Sequence, residues 1–148
     1  MNIAIVGATG NVGRKTLEVF DKKNFKFDNL YLVASEKSAG KKISFRDKEY
    51  VIENLETYDF SKADITFFAA GGKIAEKFAE KAAKHTTVID NSSFFRMDPD
   101  VPLIVPQVNA SEIKNMKKNI IANPNCSTAQ LVIACLLYTS DAADEQQR

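Results

Sequence analysis

The sequence has few of the residues that mark disulfide-rich, metal-binding or membrane proteins. Its 148 residues include one His, two Cys and no Trp. The two cysteines, 9 positions apart, form neither a disulfide framework nor a metal-binding motif, so reduced thiols are expected. The longest purely apolar run, residues 131–138, has 8 residues, whereas a membrane-spanning helix needs about 20. These shortages argue against the secreted disulfide-rich, zinc-finger and transmembrane classes.

An excess of either charge is also absent. Twenty Lys and Arg against 19 Asp and Glu give a formal net charge of +1, which removes the usual electrostatic reason to expect nucleic acid or an anionic membrane as partner. The chain begins directly with an apolar run, without the basic segment and cleavage site of a signal peptide. Ten Phe and 45% hydrophobic residues are enough for a core. We therefore expect a soluble, cytoplasmic protein.

Short β-rich runs alternate with helical stretches, and this alternation predicts an α/β fold with a doubly wound, mainly parallel sheet. The predicted strands are residues 2–7, 30–34, 65–70, 88–90 and 120–122, with a hairpin at 43–45 and 50–52 and a short apolar run at 103–105. The predicted helices are residues 12–22, 73–84 and 127–134. Apolar spacing predicts the buried helix faces. They are Val12, Thr16, Val19 and Phe20 in the first helix, and Ile74, Phe78 and Ala82 in the second.

Three glycines, Gly7, Gly10 and Gly13, connect the first strand to the first helix. Gly10 would let the backbone approach a pyrophosphate, and Gly13 would let the helix pack closely on the strand. The amides of Thr9, Gly10, Asn11 and Val12 would then face the anion from the helix N-terminus. A tight turn without a ligand is the alternative. The strand–turn–helix setting favours a dinucleotide site in a Rossmann-like fold.

The loop after the second strand lacks the acidic residue that NAD-selective sites usually place there. It carries instead Ser35, Lys37 and Ser38, whose hydroxyl and ammonium groups can donate to a 2′-phosphate and favour NADP. Glu36 would repel that phosphate, so we expect it to face away. A polar surface loop is the alternative, and on this segment alone it is the better interpretation.

Cys126 lies where a short strand meets the last predicted helix. A helix N-terminus and its amides stabilise a thiolate, and the same amides can hold the oxyanion that forms when the thiolate attacks a carbonyl. Asn125 could donate to the same region. The alternative is a small buried Cys in the core.

Arg96 follows the strand at residues 88–90, at the sheet edge where open α/β sheets place ligands. Its guanidinium offers a forked donor for phosphate or carboxylate, with Ser92 and Ser93 nearby in sequence. A surface ion pair with Asp98 or Asp100 is the alternative. No cluster of ligand residues indicates a metal site, and the lone His85 is expected in an exposed last helical turn.

These motifs together resemble the aspartate-semialdehyde dehydrogenase family. The matching segments, in chain order, are residues 7–13, 35–41, 69–72, 90–99 and 123–128. The resemblance runs from Met1 to about Ala134 and is to the N-terminal part of the bacterial enzyme. It implies an NAD(P)-binding domain at 1–134 that is truncated before the second domain, which holds substrate and dimer contacts. The implied reaction is the reversible conversion of aspartate 4-semialdehyde, phosphate and NADP⁺ to aspartyl 4-phosphate and NADPH, in lysine, methionine, threonine and diaminopimelate biosynthesis.

The resemblance also implies a role for each matching residue. Cys126 corresponds to the nucleophile that forms an acyl-thioester, and Arg96 corresponds to the phosphate-binding Arg, with Asn125 beside the nucleophile. The implied cofactor contacts are Thr9, Gly10, Asn11 and Val12 at the pyrophosphate, Lys37 and Ser38 at the 2′-phosphate, and Gly72 with Gly71 in a turn against the cofactor. The family usually has Arg at the position of Lys37, so the charge is kept and the bidentate fork is lost.

The resemblance ends before the family's acid/base His and its substrate-binding Gln and Arg. We therefore expect the chain alone to be inactive, and the whole enzyme to be a homodimer or homotetramer. From Cys135 onward the sequence resembles translated adapter sequence, so residues 135–148 are predicted to be a foreign or disordered tail; a natural polar tail is the alternative. Two rival functions stay open: an N-acetylglutamyl-phosphate reductase of the same design, and a non-catalytic NADP-binding module that would not need a thiolate at Cys126.

Overall fold

The structure, a computed structural model, describes the backbone of residues 1–145 and the side chains of residues 1–138. Its strands are β1 (Asn2–Val6), β2 (Asn29–Ala34), β3 (Lys42–Phe45), β4 (Lys48–Asn54), β5 (Ile65–Phe68), β6 (Thr87–Asp90) and β7 (Ile120–Ala122). Its α-helices are α1 (Asn11–Lys22), α2 (Gly72–Ala83), α3 (Pro106–Asn109) and α4 (Cys126–Glu145). Short 3₁₀ helices lie at Glu36–Ser38, Phe60–Lys62 and Ala110–Asn115.

The strands form one sheet in the order β3-β4-β2-β1-β5-β6-β7. The pairs from β4 through β7 are all parallel, and only the β3–β4 hairpin is antiparallel. The parallel crossovers pass through α1, α2 and intervening loops, so helices lie on both faces. The predicted α/β, Rossmann-like, mainly parallel fold is therefore confirmed, and the predicted hairpin extends the sheet by pairing with β2.

Two apolar clusters fill the space on either side of the sheet. On one face, Phe78 and Ala82 of α2 pack with Phe68 and Val88, all buried. On the other face, Leu17 and Phe20 of α1 pack with Ile5 of β1. Because β1 is covered on both faces, its residues Ile3 to Val6 are all 0% exposed, which explains why the strand reads as a continuous apolar run rather than an alternating one.

The predicted buried face of α1 is partly wrong. Gly13, Leu17 and Phe20 are the buried residues, whereas Val12 is 50% and Val19 is 45% exposed. The physical reason is that the absence of a side chain at Gly13 lets this position lie nearest the sheet, which rotates the buried stripe onto the 13/17/20 spacing. In α2, the predicted Phe78 and Ala82 are buried, and Ile74 is only partly buried. Of the apolar run at 103–105, Leu103 forms an isolated bridge to Ala122.

Helix α4 continues beyond the predicted domain boundary at Ala134. It includes Cys135 and runs to Glu145, so the part of the predicted tail that the structure describes is helical, and residues 146–148 lie outside the described part of the chain. The foreign origin of residues 135–148 stays a prediction. Within the residues described, no helix has the length and apolarity to cross a membrane.

We expect Gly13→Ala to destabilise the fold. In an unhindered helix this change would add roughly 1 kcal/mol of helix stability, but here the new Cβ would lie 2.4 Å from the Gly7 carbonyl oxygen and 2.8 Å from the Ala8 Cα. Because both neighbours are backbone, the free energy of unfolding should fall by about 2 kcal/mol. Urea unfolding followed by circular dichroism measures it.

Gly72→Ala is the matched control, because its new Cβ would meet nothing closer than the Phe94 Cβ at 3.9 Å. Its free energy of unfolding should stay within about 1 kcal/mol of the parent. A Gly13→Ala chain as stable as the parent would show that α1 does not depend on this close approach.

Candidate active site

The turn between β1 and α1 exposes backbone amides at the carboxyl edge of the sheet. Gly7 has φ +86, and a Cβ there would lie 2.8 Å from the Ala69 carbonyl oxygen after β5. The Gly10 amide donates to the Gly7 carbonyl at 3.0 Å, and Gly10 is the N-cap of α1, which has no side-chain capping hydrogen bond within the described residues. The turn is therefore held close to β5, and the first amides of α1 can meet an anion directly.

Two adjoining clefts, together called the groove, lie between this turn and the loop after β2. One cleft, with a volume of about 390 Å³, is lined by Gly7, Thr9, Gly10, Ser35 and apolar neighbours. A second, of about 420 Å³, is lined by Glu36, Lys37, Glu56, Phe78 and others. The two share Ser35, Leu55 and Ile74 in their walls. Apolar walls with backbone donors at one end and a cation at the other fit an extended dinucleotide.

Lys37 and Ser38 belong to the 3₁₀ helix Glu36–Ser38, which starts directly after β2. The Lys37 side chain is exposed and has no carboxylate partner among the described residues. Glu36 lines the same cleft as Lys37, and the expectation that its side chain faces away from a bound phosphate stays a prediction. The loop therefore presents both a cation and an anion at this end of the groove.

Arg96 forms no ion pair with Asp98 or Asp100, which was the alternative interpretation of this residue. Asp98 pairs with Lys118 at 2.9 Å, and Asp100 pairs with Lys117 at 2.8 Å. The Lys118 ammonium also holds the pKa of Asp98 below its ordinary value. Arg96 instead donates from Nε to the Asn123 carbonyl at 3.0 Å and from Nη2 to the Asn91 carbonyl at 3.1 Å. Its positive charge therefore meets backbone carbonyl dipoles and, within the described part of the chain, no carboxylate.

The loop that carries Arg96 is shaped by a buried carboxylate. Asp90, at the end of β6, is 0% exposed. It accepts hydrogen bonds from the Ser92 amide at 3.0 Å and the Ser92 hydroxyl at 2.6 Å, while the Phe94 amide donates to that hydroxyl at 3.1 Å. These bonds satisfy the carboxylate, which would otherwise be costly to bury. They also turn the chain sharply after β6, toward the position of Arg96.

Cys126 is the first residue of α4 and is exposed, so the alternative of a buried core Cys does not hold. The Asn125 Oδ1 accepts from the Ser127 amide at 3.1 Å, from the Ser127 hydroxyl at 3.0 Å and from the Cys126 thiol at 3.4 Å. Asn125 is thus the N-cap of α4. Because the Ser127 N–H can only donate, the Asn125 side-chain atom that faces the helix is Oδ1, and the Asn125 NH₂ group points away from Ser127.

All the predicted site residues follow the carboxyl ends of parallel strands, and the sheet therefore brings them to one edge. Thr9, Gly10, Asn11 and Val12 follow β1, and Gly72 starts α2 after β5. Lys37 and Arg96 follow strands three places apart in the sheet, a separation of about 14 Å at about 4.8 Å per strand. That spacing separates the two cations along the sheet edge.

Sequence reasoning did not find the contact between Asn91 and Asn123, or the roles of Leu55 and Ile74 in the groove wall. Asn91 and Asn123 each come directly after a strand, which was the available signal.

The lone His85 lies at the other edge of the sheet. It precedes β6 and is exposed, so the length of this four-residue strand, about 13 Å, separates it from the carboxyl edge. Among the residues described, no group of three or more His, Cys, Asp or Glu is arranged to hold a metal ion.

Comparison with known proteins finds semialdehyde dehydrogenases among both families and relatives. The family model described as "Semialdehyde dehydrogenase, NAD binding domain" matches residues 2–116. The aspartate-semialdehyde dehydrogenase of Aquifex aeolicus (strain VF5) is 53% identical over 135 residues, which are 89% of this chain and 40% of that protein. The relative in Rickettsia bellii (strain RML369-C) is 48% identical, again over 89% of this chain and 40% of its own length.

Solved structures agree. The crystal structure of aspartate semialdehyde dehydrogenase II from Vibrio cholerae has a TM-score of 0.86 at 48% identity, covering 90% of this chain and 40% of that one. The Candida albicans enzyme crystallised with NADP has a TM-score of 0.65 at 27% identity, covering 88% and 44%. The chain spans about 40% of the length of the curated relatives it matches. From the family match, the sheet topology and the glycine turn, we conclude that this chain belongs to the semialdehyde dehydrogenase family and comprises its NAD-binding domain.

Proposed function

We propose that this chain is the dinucleotide-binding and nucleophile-bearing part of an NADP-dependent aspartate-semialdehyde dehydrogenase. One observation carries the proposal: an exposed thiol at the start of α4 lies on the same sheet edge as the glycine turn and an Arg that has no carboxylate partner among the residues described. The named relatives support the choice of substrate, since they are 48–53% identical to this chain. Because the chain spans only part of those relatives, activity and substrate are proposed for the whole protein.

The proposed chemistry begins at Cys126. Its thiolate attacks the aldehyde carbon of aspartate semialdehyde, forming a C–S bond and a thiohemiacetal whose oxyanion is stabilised by amides at the start of α4. When bound, NADP⁺ supplies the two-electron oxidation that leaves a thioester on Cys126. A phosphate oxygen, with its charge balanced by Arg96, then attacks the thioester carbonyl. The C–S bond breaks, Cys126 leaves as the thiolate, and aspartyl 4-phosphate is released.

The residues that would hold the cofactor fit a dinucleotide. The open amides at Gly10, Asn11 and Val12 suit the pyrophosphate. The groove from Gly10 to Lys37 is lined largely by apolar side chains, and Lys37 at its far end supplies a charge for a 2′-phosphate. No acidic residue directly ends β2, where NAD-selective sites hold the ribose hydroxyls. These features support NADP over NAD, with the Glu36 side chain expected to face away from the 2′-phosphate.

Two further parts of the proposal concern the whole enzyme. Large apolar side chains are exposed within residues 1–134, among them Met97 at 92% and Leu131 at 65%. Apolar groups of this size are typical of surfaces that another domain or a second copy covers, which supports a homodimeric or homotetrameric assembly. The pathway assignment, to lysine, methionine, threonine and diaminopimelate synthesis in the cytoplasm, follows from the proposed reaction.

The proposed cofactor preference predicts a selective effect of Lys37→Ala. Affinity for NADPH should fall about tenfold, the value of one charge-assisted contact, while affinity for NADH stays unchanged. Lys37→Arg should retain NADPH affinity, because the charge is kept. Fluorescence titration of both nucleotides measures this. Lys48→Ala, an exposed Lys on the hairpin, is the control, and equal losses for NADPH and NADH in Lys37→Ala would contradict the 2′-phosphate contact.

The reactivity of Cys126 separates the enzyme from a non-catalytic nucleotide-binding module. Near neutral pH, iodoacetamide should alkylate Cys126 on the order of ten times faster than Cys135, which is also exposed, because Cys126 lies at a helix N-terminus. Mass spectrometry resolves the two sites in the same molecules. In urea the two rates should converge, and equal rates in the folded protein would favour the non-catalytic module.

Turnover by the chain alone is not expected. The lone His85 lies at the sheet edge opposite Cys126, so no imidazole in the chain can act as acid or base at the thiol. A steady-state assay with aspartate semialdehyde, NADP⁺ and phosphate should show no NADPH formation above background. A full-length relative in the same assay is the positive control. Clear turnover by the 148-residue chain would contradict the expectation and show that the residues of this chain suffice for the reaction.

The rival reductase is tested in the same assay, with N-acetylglutamate semialdehyde as the substrate and the full-length protein as the enzyme.

A further inference from the structure

The loops that carry Arg96 and Cys126 start side by side. Phe68, Asp90 and Ala122 form one register row across the ends of β5, β6 and β7. One residue further, the Asn91 amide donates to the Phe68 carbonyl at 3.0 Å and the Asn123 amide donates to the Asp90 carbonyl at 2.8 Å. Asn91 and Asn123 are therefore neighbours on the sheet edge, and each begins one of the two loops.

Their side chains are joined directly. The Asn123 Nδ2 donates to the Asn91 Oδ1 at 2.8 Å, and the Asn91 Nδ2 points at the Phe68 carbonyl at 3.4 Å. Since a backbone carbonyl can only accept, the Phe68 contact fixes which end of the Asn91 amide faces Asn123. The pair thus has a defined donor and a defined acceptor.

Arg96 contacts the main chain of both Asn residues. Its Nε and Nη2 donate to the Asn123 and Asn91 carbonyls. Two of its five N–H groups are used, and the other three have no protein partner within the described residues. The main chain of Asn123 therefore contacts Arg96 while its side chain contacts Asn91, and Cys126 follows three residues later, after the buried Pro124.

We propose that Asn91 and Asn123 are positioning residues, whose paired side-chain amides hold the Arg96 guanidinium and the Cys126 thiol in a fixed relation. The inference rests on the proposed function, in which Arg96 balances the charge of a phosphate that attacks the Cys126 thioester. Neither Asn needs to touch substrate for this role. Their effect is to keep the unused guanidinium N–H groups directed at the anion while the nucleophile stays in place.

The test compares two alkylating reagents on the full 148-residue chain. Iodoacetate is an anion and iodoacetamide is neutral, so the ratio of their rate constants at Cys126 reports how well a cation is placed beside the thiol. Arg96→Gln should lower this ratio by up to about fivefold, the effect of one unit charge at about 4 Å in water. Asn91→Ala and Asn123→Ala should each lower it roughly twofold or more. The double variant should lower it no further than the single ones, because the two side chains act as a pair.

The ratio discriminates positioning from a general loss of structure, since loosening of the fold changes both rates together. Asn29→Ala is the matched control: it removes a similar Asn–Asn hydrogen bond, from Asn29 Nδ2 to Asn2 Oδ1 at 2.9 Å, at the opposite sheet edge. It should leave the ratio unchanged. Asn123 is exposed, so Asn123→Ala should fold even if Asn91→Ala does not, and it then decides the question.

The outcomes separate the two proposals. If Arg96→Gln lowers the ratio and both Asn variants leave it unchanged, the positioning role is overturned and the proposed function stands. If Arg96→Gln itself leaves the ratio unchanged, Arg96 does not serve Cys126, and both the positioning role and the proposed role of Arg96 fail. Additive losses in the double variant would also overturn the pairing.

Discussion

The close approach of the β1–α1 turn to its neighbours is the constraint on which the rest of this structure depends. A Cβ at Gly13 would lie 2.4 Å from the Gly7 carbonyl oxygen, and a Cβ at Gly7 would lie 2.8 Å from the Ala69 carbonyl oxygen. Without side chains at these positions, α1 lies directly on the end of β1, and the turn lies against the end of β5. The turn before α1 then lines the groove, and no side chain among the described residues makes a capping hydrogen bond to the first amides of α1.

The pairing of nearby carboxylates determines whether Arg96 can bind an anion. The acidic groups near Arg96 already have partners: Asp98 and Asp100 pair with Lys118 and Lys117, and Asp90 is hydrogen-bonded by Ser92. The guanidinium therefore keeps its charge for an anion while two carbonyls orient it. The carboxyl edge of the sheet therefore carries one cation at the Asn123 carbonyl, three residues before Cys126, and another cation, Lys37, at the far end of the groove.

The sequence was most informative where local chemistry restricts the backbone. The Gly7–Gly13 spacing, the buried run of β1, the hairpin and the position of Cys126 at a helix start were all predicted, and the structure agrees with each. The prediction for the buried face of α1 was less accurate, because Val12 and Val19 match an apolar period that the contact at Gly13 displaces.

The sequence by itself determined the strand–turn–helix motif, the order of α and β elements and the nucleophile candidate, because glycine spacing and apolar period act over a few residues. Only the tertiary structure decided that Arg96 is free of Asp98 and Asp100, and that Asn91 and Asn123 meet. Those contacts join residues up to 32 positions apart, and they follow from the register of β6 and β7, which no local pattern specifies. The residue types at the carboxyl edge of the sheet can therefore be read from the sequence, whereas their relative positions depend on strand pairing.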